Sequence, residues 1–167
     1  MDMANRSLPG AGGVLFLPHL SGERSPYFDP NARGAWVNLS LAHTQAELIR
    51  VVLEGVAFNL RMALEVIKEI TFIEQLLATG GGAQSKIWLR ILADVLQIEL
   101  IAPKAEEGAA YGAAILAMVG VGVYPNFEAV FKILPQDSGT VQTRANPMYE
   151  AAFKRYKVLY EALKAVR

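Results

Sequence analysis

Residues 75–103 read QLLATGGGAQSKIWLRILADVLQIELIAP, and this run decides the fold class. A short apolar segment, Gln75 to Thr79, enters three consecutive glycines, Gly80, Gly81 and Gly82. From Ser85 to Leu96 the residues Trp88, Ile91, Leu92 and Val95 recur at three and four, the period of a half-buried helix. Ile98–Ala102 is again short and apolar, and Pro103 closes it because proline has no amide for a sheet ladder. Strand, glycine turn, helix, strand is the order of an α/β layer in which at least two strands run parallel.

Working outward, the upstream half supplies a long helix. Thr44 with Glu47 three residues later has the spacing of a capping box. Leu48, Val51, Val52, Gly55, Val56, Asn59, Met62 and Val66 then recur as one buried face as far as Lys68. Arg50, Glu54, Arg61, Glu65 and Glu69 lie largely off that face. Before the helix, Gly13–Leu20 reads as an edge strand interrupted by Pro18, Ser21–Arg33 as exposed loop, and Gly34–Leu41 as a short strand. Downstream, Glu107–Val119 reads as a helix of alanine and glycine, and Pro125–Leu134 as a short helix and turn. Gln136–Thr140 reads as loop and Pro147–Val166 as a terminal helix, with Phe153, Tyr156 and Tyr160 on its core side. Residues 1–167 are expected to form one domain.

Composition excludes several function classes. The 167 residues are 53% hydrophobic and 19% charged, which excludes a disordered tail. Sixteen basic and sixteen acidic residues balance, so neither nucleic acid nor an anionic membrane is an expected partner. With no cysteine there is no disulfide, thiolate nucleophile or cysteine zinc site. His19 and His43 are too few for a histidine metal centre; His19 is expected to be packed or hydrogen-bonded and His43 to serve local structure. The start lacks a signal-peptide core and no apolar run reaches about 18 residues, so a soluble cytoplasmic protein is expected. Charge is sparse for so small a globule, where about a quarter of positions usually carry it.

Three segments carry candidate chemistry. Glycines opening onto a helix allow close approach by another group and leave helix amides free for an anion. Gly81, Gly82 and Ala83 can thus pass beside a phosphate, with Gln84 and Ser85 as nearby polar contacts. A tight turn without ligand is the alternative reading of the same pattern. EEGAAYGAAILA, residues 106–117, has almost no side-chain bulk at Gly108, Ala109, Ala110 and Gly112, as either a ligand or close helix packing would require. Two glycine-marked helix starts, each after a short strand, match ligand binding at strand carboxyl ends. In GERSPYFDP, residues 22–30, Arg24 is a candidate clamp for phosphate, carboxylate or hydroxyl, with Glu23 and Asp29 available to pair with it. Asp94, inside LADVL, is expected at a solvated helix edge, and the basic residues near the C-terminus on a solvated face.

Four blocks in order, GVLFLPHLSGERSPYFDPNARGAW, LAHTQAELIRVVLEGVAFNLR, ATGGGAQSKIWLRILADVLQIEL and EEGAAYGAAILA, resemble the C-terminal lobe of the FGGY carbohydrate kinases, nearest their xylulokinase branch. The likeness runs from about residue 12 to 124. It implies a ribonuclease-H-like, actin-like ATPase lobe with a partly parallel sheet flanked by helices. It also implies ATP with Mg2+, a sugar substrate, and an N-terminal lobe carrying the general base, so no catalytic residue is assigned in this chain. Gly81, Gly82, Ala83, Gln84, Ser85, Glu107, Gly108 and Gly112 fall in the family's nucleotide-binding blocks, and Arg24 in a segment with a weaker link to sugar. Asn38 stands where the family usually has glycine, Val51 where it has alanine or serine, and the connection from Lys68 to Gln75 is short.

By that resemblance the complete enzyme phosphorylates a ketopentose such as D-xylulose, and this chain alone is inactive or nearly so. Other sugars and polyols of the family stay open as substrates. So does a non-catalytic actin-like module binding nucleotide or protein, and a homodimer is not excluded. If a second lobe covers this one, an exposed apolar patch is expected near the Gly81 and Gly108 turns.

Overall fold

A computed structural model describes residues 2–103, 108–132 and 138–166. Strands β1 (Leu15–Leu17) and β2 (Ala35–Val37) form an antiparallel pair. A three-stranded sheet has the order β3–β4–β5, with β3 at Gln75–Leu77, β4 at Glu99–Pro103 and β5 at Ser138–Val141. Strands β3 and β4 are parallel and β5 is antiparallel to β4, so the sheet is partly parallel as expected. The strand β5 corrects the expected loop over Gln136–Thr140. Ser-Gly-Thr-Val has too little apolar patterning to be read as a strand, and the open edge of β4 recruits it.

Helices α1 (Gln45–Lys68), α2 (Lys86–Leu96), α3 (Gly108–Gly120), α4 (Phe127–Phe131), α5 (Pro147–Lys157) and α6 (Leu159–Lys164) complete the described elements. The expected single terminal helix is divided at Val158, whose φ of −91° and ψ of −8° separate α5 from α6. One core joins β1, α1, α2, β4, α5 and α6 through Leu17, Phe58, Ile91, Val95, Leu100, Phe153, Tyr156 and Leu159.

Helix α1 is the central element. Its capping box is formed: the Thr44 hydroxyl accepts from the Ala46 amide at 3.2 Å, and Glu47 accepts from the Thr44 amide at 2.8 Å. The Thr44 side-chain and backbone donors hold the Glu47 carboxyl down at about 2. The buried face is turned from the expected one. Leu48 and Val66 are 36% and 47% exposed, whereas Arg50 and Glu54 are 7% and 1% exposed. The cause is the segment before β1. Short 3-10 turns at Asp2–Arg6 and Ala11–Gly13 pack on α1 and supply the polar groups these charges need. Arg50 donates from Nη1 to the Ala4 and Ser7 carbonyls at 3.2 and 2.9 Å. It also donates from Nη2 to Tyr149 Oη at 2.7 Å and from Nε to Glu54 at 2.6 Å. Burial pushes the Glu54 carboxyl up, against the pull of the Arg50 guanidinium.

Two further residues show how the strands seat on α1. Gly55 faces β1 so closely that an added Cβ would lie 2.2 Å from the Phe16 carbonyl oxygen. Asn38 has φ +68°, and its Nδ2 donates to the Gly13 carbonyl at 3.1 Å. Asparagine tolerates this left-handed conformation, which accounts for the change from glycine. Val51, 1% exposed, packs against Ala11, Val14 and Phe16. Asp94 is likewise buried rather than solvated: it accepts from the Arg144 amide at 2.9 Å and from Arg90 at 3.3 Å, tying α2 to the stretch between β5 and α5.

Two outcomes follow. Gly55→Ala will lower unfolding stability by about 3 kcal/mol, measured by urea denaturation, because backbone cannot yield as a side chain can. Glu47, depressed in the folded state, contributes stability above the ordinary glutamate value near 4.5 that fades as pH falls toward about 2. Glu47→Gln will therefore flatten the melting temperature's pH dependence in that window.

Candidate functional site

The site is built from the carboxyl ends of two neighbouring parallel strands. Leu77 of β3 pairs with Ile101 of β4, and the Ala78 amide donates to the Ile101 carbonyl at 2.8 Å. Strand β3 then leads into the glycine turn and α2, while β4 leads toward the start of α3. Parallel pairing thus ends β3 and β4 at the same edge of the sheet, where the glycine turn follows β3.

The three glycines divide their labour. Gly80 has φ +82° and ψ −179°, a conformation essentially closed to other residues. Gly81–Gln84 then form one 3-10 turn. The Ala83 amide donates back to Gly80 at 3.0 Å and its side chain packs on the core, so Ala83 is a supporting residue of the turn. The Ser85 amide donates to Gly82 at 3.1 Å, and the Ser85 hydroxyl accepts from the Trp88 amide at 3.4 Å, capping α2. Neither the Gly81 nor the Gly82 amide donates to another described residue. A Cβ at Gly82 would come within 3.1 Å of the Trp88 indole, whereas one at Gly81 would meet nothing within 4 Å. Gln84 is exposed beside them. A turn with two amides unused among the described residues, and with no described group near a Cβ at position 81, suits an anionic oxygen group.

The second block is equally lean. Gly108 begins α3, and a Cβ at Gly112 would meet nothing within 4 Å. Glu107 lies outside the described residues. Helix α3 buries Ile115 but leaves Leu116 63% exposed, with Val121 and Val123 beyond it at 77% and 63%. Apolar side chains are therefore exposed in the second half of α3 and just beyond it.

Arg24 belongs to another neighbourhood. The expected pairing with Glu23 and Asp29 is not made, because both carboxylates are taken by loop amides and by side chains of other elements. Glu23 accepts from the Arg24 and Ser25 amides at 2.8 and 2.9 Å, from Asn59 Nδ2 at 2.9 Å, and lies 2.6 Å from His19 Nδ1. Asp29 accepts from Tyr160 Oη at 2.8 Å. His19 is 1% exposed, packed as expected, and His43 bonds locally to the Ser40 amide at 2.9 Å. Arg24 itself is exposed at a hollow of about 810 Å³ shared with Ser21, Gly22, Phe28 and Pro30. Among the described residues no cluster of three His, Cys, Asp or Glu side chains could hold a metal ion, and no helix is long and apolar enough to cross a membrane.

The site's logic separates two neighbouring glycines. Gly80→Ala will cost about 1–3 kcal/mol from its backbone conformation. Gly81→Ala will stay within about 0.5 kcal/mol of the parent in the same urea titration.

Comparison with known proteins places this geometry. The profile described as "FGGY family of carbohydrate kinases, C-terminal domain" matches residues 2–121. A xylulose kinase of Staphylococcus epidermidis is 32% identical over 167 residues, covering 98% of this chain and 34% of the relative. A gluconokinase of Bacillus subtilis is 33% identical over 159 residues, covering 94% of this chain and 30% of the relative. Among solved structures, a ligand-bound xylulose kinase from Lactobacillus acidophilus superposes with a TM-score of 0.80 at 28% identity, covering 98% of this chain and 34% of that one. A gluconate kinase from the same organism gives 0.78 at 28%, covering 97% and 33%. The chain thus spans about a third of the length of the relatives it matches.

Proposed function

The chain belongs to the FGGY family of carbohydrate kinases, and from that premise we propose that it is the nucleotide-binding C-terminal lobe of an ATP-dependent sugar kinase acting on a ketopentose, D-xylulose. The observation that carries this reading is the glycine turn at the carboxyl end of β3, beside the parallel β4, with the Gly81 and Gly82 amides unused among the described residues. Those amides donate to phosphate oxygens of ATP. Gln84 and Ser85 flank the nucleoside, and Gly108 and Gly112 leave room beside it, with Glu107 in the same block. Mg2+ enters with the triphosphate, whose charge it neutralises when bound.

This chain's part in the reaction is to bind and orient. Phosphoryl transfer needs an aligned hydroxyl and in-line geometry, which one side of a cleft cannot supply. The general base and most sugar contacts come from an N-terminal lobe. That lobe packs over the exposed apolar side of α3, where a free surface would otherwise leave Leu116 in water. Arg24 is the chain's candidate for a polar contact to sugar. Cytoplasmic location fits a kinase that draws on ATP.

A second substrate reading has its own support: gluconokinases match this chain as well as xylulose kinases do. The lobe that discriminates sugars decides between them.

A coupled ADP-release assay tests the assignment. The chain alone will give no turnover with D-xylulose or gluconate, and addition of an N-terminal kinase lobe will restore it. In the restored enzyme Gly81→Ala will lower kcat/KM for ATP at least tenfold with an unchanged melting temperature. Full turnover by the chain alone, or no ADP binding to the restored enzyme at millimolar concentration, overturns the reading.

A further inference from the structure

One edge of the three-stranded sheet is bare, and the kinase reading makes no use of it. Strand β3 pairs with β4 alone, since the sheet order is β3–β4–β5. The Ala78 amide donates to the Ile101 carbonyl, so the ladder uses the backbone groups of Leu76 and Ala78. Alternation along the strand then turns the amides and carbonyls of Gln75 and Leu77 to the opposite edge. No described residue pairs with them there.

The sequence does nothing to guard this edge. Soluble proteins protect edge strands with lysine, proline, a bulge or a covering element. Residues 70–79, ITFIEQLLAT, hold no lysine, arginine, proline or glycine, and Glu74 is their one charge. Ile73, Leu76 and Ala78 pack on the core. Ile70, Phe72 and Leu77 do not, and are 84%, 87% and 63% exposed. Phe72 is three residues from Gln75, so chain length alone keeps it within about 11 Å of the bare edge.

Another extended strand fits such an edge, and β3 is complementary to itself. Laid antiparallel across a two-fold axis at Leu76, Gln75 of one copy faces Leu77 of the other. Each of these two pairs exchanges two amide–carbonyl bonds, and the result is a closed, isologous contact. The same axis sets Glu74 opposite Ala78 rather than opposite a second Glu74, so like charges do not meet along the strand. With 16 basic and 16 acidic residues, two copies carry no net repulsion. A short strand and three apolar side chains put the contact at the small end of protein interfaces, below about 1,200 Å². The pair is therefore weak and concentration-dependent.

We propose that this chain forms a two-fold dimer by antiparallel pairing of β3 with β3 of a second copy, with Ile70, Phe72 and Leu77 beside the seam. The proposal rests on the sheet edge and is independent of the nucleotide assignment.

Sedimentation velocity and amide hydrogen exchange on the unaltered chain, between about 5 and about 200 µM, test it. The mass is expected to climb from 18.2 kDa toward about twice that value. The Gln75 and Leu77 amides are expected to exchange at least about fivefold more slowly at the upper concentration. Leu77→Lys sets a charge on the edge and is expected to stay monomeric, with an unchanged melting temperature in dilute solution. Val158→Lys, at an exposed apolar residue outside the sheet, is expected to dimerise as the parent does. A monomer throughout, a dimer whose Gln75 and Leu77 amides stay unprotected, or a Leu77→Lys chain that still dimerises overturns the proposal. Protection that ignores chain concentration and arrives only with an added N-terminal kinase lobe assigns the edge to that lobe, and overturns it too.

Discussion

Everything in this molecule is arranged around one close contact, the approach of helix α1 to strand β1 at Gly55. Because residue 55 has no side chain, the helix backbone sits against the Phe16 carbonyl, where a single Cβ would intrude to 2.2 Å. That proximity fixes the depth of α1 in the core. The same helix packs on α2, on the segment before β1 and on α5, so its position sets theirs. It also explains why charge is buried there. With the N-terminal turns pressed onto α1, Arg50 and Glu54 have no route to water, and the Ala4 and Ser7 carbonyls and Tyr149 take its place.

The functional edge is a second consequence of simple geometry. Two parallel strands must end on the same side, so β3 and β4 deliver their following segments to one edge of the sheet. Glycine serves three separate ends at this edge. At Gly80 it permits a backbone conformation, at Gly82 it makes room for Trp88, and at Gly81 and Gly112 it leaves space that no described protein group fills. Only the last kind has no explanation in the described protein packing. The exposed apolar side chains of α3 and the sparse charge of the chain are both features common on a surface that meets another surface.

Much of this was legible in the residues. The capping box at Thr44, the strand–glycine–helix–strand run, the parallel pair and the core aromatics of the terminal helix stand where local patterning put them, because each depends on neighbours close in sequence. The misreadings have the opposite character. Arg50, Glu54 and Asp94 read as solvated because the amides, hydroxyl and carbonyls that receive them lie far away in the chain. Strand β5 has no apolar alternation of its own and exists through the edge of β4. Glu23 and Asp29 turned inward, to Asn59 and Tyr160, instead of pairing with the adjacent Arg24.

By itself the sequence determined the kind of layer, the ends of its main helices and the two turns lean in side-chain bulk. These follow from periodicity, capping chemistry and the special freedom of glycine, all of which act over a few residues. Tertiary structure alone decided which face of α1 is buried, which glycine is needed for shape and which for space, and where the charges of the core find partners. Those outcomes depend on distant backbone arriving at a given side chain, and no local pattern encodes who will arrive.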